Sequence, residues 1–184
     1  MKDFIISIPI NIERENLRHN SGNENDFTIP SESFLENESP NYEDFLFSYD
    51  FVVNEKWKEQ KELENHRLLT VDEWDSIFSI RPQKYFHVEV NNINGVILMP
   101  DNASCKNHLS QSYTKIGIED WYELEKIGAI FLPGANLNDN IISPYALKSK
   151  IEGRQIGHSY ASIVAPINKD DKFFVRLVKK NSNR

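Results

Sequence analysis

What most constrains this chain is that its apolar residues come in short runs, each closed by a structure-breaking residue. Val96-Ile97-Leu98-Met99 stops at Pro100-Asp101, Ala129-Ile130-Phe131-Leu132 stops at Pro133-Gly134, and residues 86–90 run into Asn91-Asn92-Ile93-Asn94-Gly95. Such runs between turn signals suit buried strands and are too short for long helices. Two stretches carry helical periodicity instead. Thr70-Val71-Asp72-Glu73 is a capping box: the Thr70 hydroxyl accepts from the Glu73 amide, and the Glu73 carboxylate accepts from the Thr70 amide. A helix is therefore expected from Val71, with Val71, Trp74, Ile77 and Phe78 on its apolar stripe and an end at Arg81-Pro82. The second helix, over 118–127, turns Trp121, Leu124 and Ile127 inward and ends at Gly128, where a left-handed C-cap fits. Short strands interleaved with two helices give an α+β fold class.

Further strands are expected over 4–12, 45–53, 159–167 and 173–178. The last two flank Asn168-Lys169-Asp170-Asp171, whose turn chemistry pairs them as a hairpin. The chain divides by texture into an N-terminal segment, 1–65, and a better punctuated domain, 66–184. Residues 11–26 are almost wholly polar and 31–44 are acidic, punctuated by Pro30 and Pro40, so both read as loops. Residues 55–64 form a charged run with Trp57 and Leu63 as its strong apolar residues, which reads as a solvated helix or turn.

Composition excludes several function classes. A chain of 184 residues can build a core without crosslinks. Cys105 is its only cysteine, so neither an intrachain disulfide nor a two-thiolate zinc site can form. The net charge of −7 makes nucleic acid an unexpected partner. No apolar stretch approaches the length of a membrane span. Phe4-Ile5-Ile6-Ser7-Ile8 is too short for a signal-peptide core and Lys2-Asp3 is no basic flank, so the chain as written is expected in the cytoplasm. A leader removed from its start would instead make it secreted or displayed at the cell surface.

Reactive constellations are loose. Cys105, next to Lys106 and three residues before His108, fits an activated thiolate of a cysteine hydrolase, but proximity of Cys and His in sequence is not diagnostic and the preferred reading is an incidental loop cysteine. The five histidines are scattered and none pairs at i, i+4, so no metal and no cofactor is expected. Asn138-Asp139-Asn140 is oxygen-rich but lacks the glycine and terminal glutamate of a calcium loop. Gly153 and Gly157 complete no phosphate-binding pattern. Trp74 and Trp121 belong to helix stripes and hence to the core, whereas Trp57 lies outside them and is free to stack a ligand. No catalytic residue is assigned.

Four strings in order carry a resemblance: His66-Arg67-Leu68-Leu69-Thr70-x-x-Glu73-Trp74, Asn94-Gly95-Val96-Ile97-Leu98-Met99-Pro100-Asp101, Trp121-x-x-x-Glu125-x-x-Gly128-Ala129-Ile130-Phe131-Leu132-Pro133 and Phe174-Val175-Arg176-Leu177-Val178. From about residue 66 to 180 the chain resembles the Fibrobacter succinogenes major paralogous domain family, common in Bacteroidetes and similar to the C-type lectin-like fold. The resemblance implies two helices flanking a small, mostly antiparallel twisted sheet. It also implies a closing strand that pairs near the start of the chain, with 4–12 or 45–53 as its partner. The chain departs from the family at His66, where Trp is usual, at Lys172, where Gly is usual, and in lacking the Tyr-Trp-Ser-Ser segment. Either Tyr145 or Tyr160 takes that aromatic position. Residues 1–65 match nothing.

The family carries no catalytic residues to transfer. The resemblance implies a disulfide-free bacterial binding protein, non-catalytic, with a glycan or protein ligand. Its contacts would come from the irregular segment 134–158, with Asn136, Asn138, Asp139, Asn140, Tyr145, Arg154 and His158 as candidates. Asparagine, about a tenth of the residues, gathers there and at 91–94. The alternative class is a structural or assembly protein of intracellular or mobile-element origin, with 1–65 as a docking arm.

Overall fold

The capping box forms as the sequence dictates. Glu73 N donates to Thr70 Oγ1 at 3.2 Å and Thr70 N donates to Glu73 Oε2 at 2.9 Å. The helix they start runs Val71–Phe78 and buries Trp74, Ile77 and Phe78. The other expected helix is Ile118–Lys126, with Trp121 buried and Gly128 at φ +101° just past its end, the left-handed position glycine supplies without steric cost. The computed structural model describes residues 11–20, 22–36, 40–78, 84–103, 109, 114–137, 140–142, 145–146, 154–159, 161–166 and 169–180. Of these, only the backbone is described for 11, 135–137, 140–142, 146, 154–159 and 161–166.

The architecture is mixed α+β, with three α-helices and several small sheets among the described residues. The third helix, Tyr49–Val53, is a correction. The Phe- and Val-rich run 45–53 yields only a short strand, Leu46–Ser48, before turning helical. Ser48 is the reason: its Oγ accepts from Phe51 N at 3.3 Å, an N-cap, while the Glu24 carboxylate accepts from Ser48 N at 2.5 Å and Oγ at 2.7 Å. A cap held from a distant residue overrides β propensity.

A four-stranded sheet is ordered Thr114–Ile116, Tyr85–Val90, Ile93–Leu98, Ile130–Pro133. Its central hairpin turns at Asn91 and Asn92, at φ 50° and 62°, as a two-residue turn with both central residues at positive φ requires. Gly95 was expected in that turn but sits within the strand. A Cβ there would collide with Leu132 O and the Phe131 ring, so its role is close approach of a neighbouring strand.

The chain ends bind the molecule together. Leu177–Lys179 is the middle strand between Asn11–Ile12 and His66–Leu68, antiparallel to both. A five-stranded sheet is ordered Ala161–Pro166, Arg154–Ser159, Tyr145–Ala146, Lys172–Phe174, Leu46–Ser48. The expected hairpin between 159–167 and 173–178 is thus corrected. Ala161–Pro166 pairs with Arg154–Ser159, and the apolar run 173–178 divides between two sheets. The division falls at Arg176, whose side chain is fully buried. Residues 11–26, expected as loops, contain Asn11–Ile12 and the hairpin Arg18–Asn20/Asn23–Thr28.

Two apolar clusters result. The larger joins side chains of the four-stranded sheet and the two longer helices with Phe34, Leu35, Phe45, Tyr145 and Phe174. The smaller sets Phe27 edge to face against Phe47 and Phe51, with Trp57 tilted on Phe51, and includes Phe173, Val175 and Leu177. Trp57, expected to be free, is 0% exposed, its Nε1 donating to His66 O at 3.3 Å. The charged run 55–64 is a pair of 3₁₀ turns, Lys56–Glu59 and Lys61–Leu63, that bury Trp57 and Leu63.

Candidate functional site

The most organised polar centre of the described residues surrounds Arg176. A ladder brings residues 13–17 alongside 175–177: Glu13 N donates to Leu177 O and Leu17 N to Val175 O, both at 2.9 Å. Four steps on one side face two on the other, so the strap 13–17 bulges outward, and the Arg176 guanidinium fills the space beneath it. Nε donates to Asn16 Oδ1 at 2.6 Å, Nη1 to Glu13 O at 3.0 Å and to Arg14 O, and Nη2 to Phe131 O at 2.9 Å. A buried cation is tolerated only when its donors are satisfied in this way. Asn16 Nδ2 donates in turn to Tyr145 Oη at 3.1 Å, and Tyr145 Oη to Pro133 O at 3.2 Å.

This centre is structural. Tyr145 is 0% exposed and its hydroxyl is pushed up to about 12, by burial against the opposing pull of Arg176. It is neither a base nor a nucleophile at neutral pH. Leu17 is buried in the smaller cluster, and the three charged side chains of the strap engage other elements. Glu13 Oε1 accepts from His66 Nε2 at 2.8 Å, Arg14 Nη1 lies 3.5 Å from Glu125 Oε1, and Glu15 Oε2 accepts from Phe34 N at 3.3 Å.

The sequence candidates fall as follows. The segment 134–158, expected to be irregular, contains the hairpin Ala135–Leu137/Asn140–Ile142 and the strands Tyr145–Ala146 and Arg154–Ser159. Asn136 and Asn140 lie on the hairpin, and Arg154 and His158 on the last strand, beside which Asn140–Ile142 runs. Asn138 and Asp139, which join the hairpin strands, lie outside the described residues, as do Cys105 and His108. Tyr145 is corrected: it packs on Trp74 and Phe174 and offers no surface to a ligand.

Other groups serve the fold or are already occupied. Arg67 and Glu73 pair in fork geometry, Nη1 to Oε2 at 2.7 Å and Nη2 to Oε1 at 2.6 Å. Burial alone would raise the Glu73 carboxyl, but Arg67 and the Thr70 amide outweigh it and hold it below its usual value. Burial lowers His87. An open cleft of about 480 Å3 is lined by Arg18, Glu32, Phe34, Asp44 and Phe45 among others. Arg18 is engaged there, 5.7 Å from the Phe45 ring centre and 3.8 Å from Asp44. Among the described residues no group of three His, Cys, Asp or Glu side chains could hold a metal ion, and no helix is long and apolar enough to cross a membrane.

Sequence reasoning missed Glu15, Asn16 and Arg176 as members of one centre. The available signal was Arg176 itself: a lone arginine inside Phe173-Phe174-Val175-Arg176-Leu177-Val178 points inward or breaks the strand, and here it does both. Comparison of the chain with protein-family models, curated proteins and solved structures finds no match in any of the three.

Proposed function

We propose that this chain is a non-catalytic binding module of the C-type lectin-like type, whose segment 134–158 contacts a glycan or protein ligand. The observation that carries the reading is the juxtaposition of the hairpin Ala135–Leu137/Asn140–Ile142 with Arg154–Ser159. It draws Asn136, Asn140, Arg154 and His158 from sequence-distant positions onto neighbouring strands, and polar groups on rigid elements are how a scaffold displays contacts. The lectin-like assignment is supported by the pairing of Leu177–Lys179 with Asn11–Ile12, the closure near the chain start that such a fold calls for. The docking-arm alternative has less support, because Asn11–Ile12 and Leu46–Ser48 are strands of sheets that residues 172–179 complete.

The test is a glycan array in parallel with a pull-down, followed by titration of whatever is captured against the wild type and the double variant Asn140→Ala/Arg154→Ala. A loss of affinity of about tenfold or more, with the thermal transition unchanged, supports the surface; two good polar contacts account for that much. A ligand bound equally well by the double variant overturns it.

A further inference from the structure

The strap 13–17 is held by groups that differ in their response to pH. Arg176 supports it from beneath with permanently charged donors, which go to Asn16, Phe131, Tyr145 and the strap's own carbonyls rather than to the Glu15 carboxylate. Arg14, the other cation of the strap, turns to Glu125 and to Ala129 O. Glu15, at the crown of the bulge, has one donor among the described residues, the Phe34 amide at 3.3 Å. An ionised carboxylate has about four acceptor sites to satisfy, so the crown holds the neutral acid better than the anion.

We propose that the strap 13–17 is a proton-controlled clasp, closed when Glu15 carries a proton and loosened when it ionises. Among the described residues, the charged groups that act on Glu15 are Arg176, Arg14 and Glu125 from the helix Ile118–Lys126, together with the Phe34 amide. Tyr145 stays protonated throughout this range. Burial, helped by Glu125, outweighs the two arginines and the amide, and pushes the Glu15 carboxyl up to about 7. A folded value above the ordinary 4.5 means that the closed strap binds the proton more tightly than the open chain does. The stabilisation from this group is therefore complete below about 4.5 and disappears as the pH rises through about 7. Because Asn16 belongs to the strap and holds Tyr145 Oη, loosening also releases the contact between the N-terminal segment and Tyr145–Ala146.

Hydrogen exchange on the full chain decides the matter, read at the Glu13 and Leu17 amides from about pH 5 to about pH 8 and corrected for intrinsic exchange. The expected result is a fall in protection of about tenfold or more at these two amides relative to those of the hairpin Tyr85–Val90/Ile93–Leu98, with Glu15→Gln keeping its strap protected across the range. A wild-type strap that stays as protected as the hairpin, or a Glu15→Gln strap that loosens in parallel, overturns the proposal. Should Glu15→Gln not fold, NMR titration of the wild-type Glu15 carboxyl decides instead: its midpoint must coincide with that of strap exchange, and separate midpoints overturn the clasp.

Discussion

Arg176 and Asn16 stand 160 residues apart in the chain, yet Arg176 Nε donates to Asn16 Oδ1 at 2.6 Å, and both residues are buried. Asn16 therefore serves two partners at once, accepting from the guanidinium and donating to Tyr145 Oη. Asn16→Ala strips a charge-assisted bond from a fully buried cation. We expect it to cost about 2–4 kcal/mol, against about 1–2 kcal/mol for Tyr145→Phe, which leaves the Arg176–Asn16 bond in place. Urea denaturation of both variants measures the difference; equal costs would show that the guanidinium finds another acceptor.

Removing residues 1–50 is expected to unfold the protein. Leu177–Lys179 would lose Asn11–Ile12, Lys172–Phe174 would lose Leu46–Ser48, and the cluster around Trp57 would lose Phe27 and Phe47. Each large apolar side chain exposed costs about 1.5–3 kcal/mol, so the loss of several exceeds the 5–15 kcal/mol that holds a typical domain. A cooperative thermal transition in the truncated chain would contradict this and restore the docking-arm reading.

The parts of the fold that local chemistry controls were legible in the sequence, and those that distant contacts control were not. Thr70 and Glu73 lie three positions apart and their reciprocal bonds are a matter of helix geometry, so the start of Val71–Phe78 could be read directly. Gly128 after Lys126 is likewise local. By contrast, the helix Tyr49–Val53 depends on Glu24 reaching Ser48, and the break in 173–178 depends on carbonyls of Glu13, Arg14 and Phe131 accepting from Arg176. No window of sequence contains those partners together. Among the candidate contacts, Asn136, Asn140, Arg154 and His158 lie on strands of one segment, while Tyr145 is in the core, and its polarity gave no sign that Asn16 and Pro133 O would satisfy its hydroxyl indoors.

Gly95→Ala tests the close approach of Ile130–Pro133 to Ile93–Leu98. The obstacle is in part a backbone carbonyl, Leu132 O, which cannot swing aside as a side chain can. Overpacking of this kind costs about 1–3 kcal/mol or more, and we expect the upper end, read as a lowered urea midpoint with the slope unchanged. Gly22→Ala is a control of different character: nothing lies near its Cβ, and only its φ of +80° opposes the change, so about 1 kcal/mol is expected.

The Arg67–Glu73 pair gives a pH signature opposite in sign to that of Glu15. The Glu73 carboxyl lies below its ordinary value in the folded chain, so between the two values the unfolded chain binds more protons. Its contribution is present above about 4.5 and is lost as the pH falls through the lower folded value. Glu73→Gln keeps an acceptor for the Thr70 amide but removes the charge. Its deficit relative to the wild type should be about 1 kcal/mol at neutral pH, modest because the pair is partly solvated, and should shrink in acid below about pH 4. Thr70→Ala removes the hydroxyl that caps Glu73 N and no titrating group, so its cost of about 1 kcal/mol should change little over the same range. Chemical denaturation of the three proteins at neutral and acid pH separates the cap from the charge. A Glu73→Gln deficit that persisted undiminished in acid would show that the side chain acts by shape and hydrogen bonding alone.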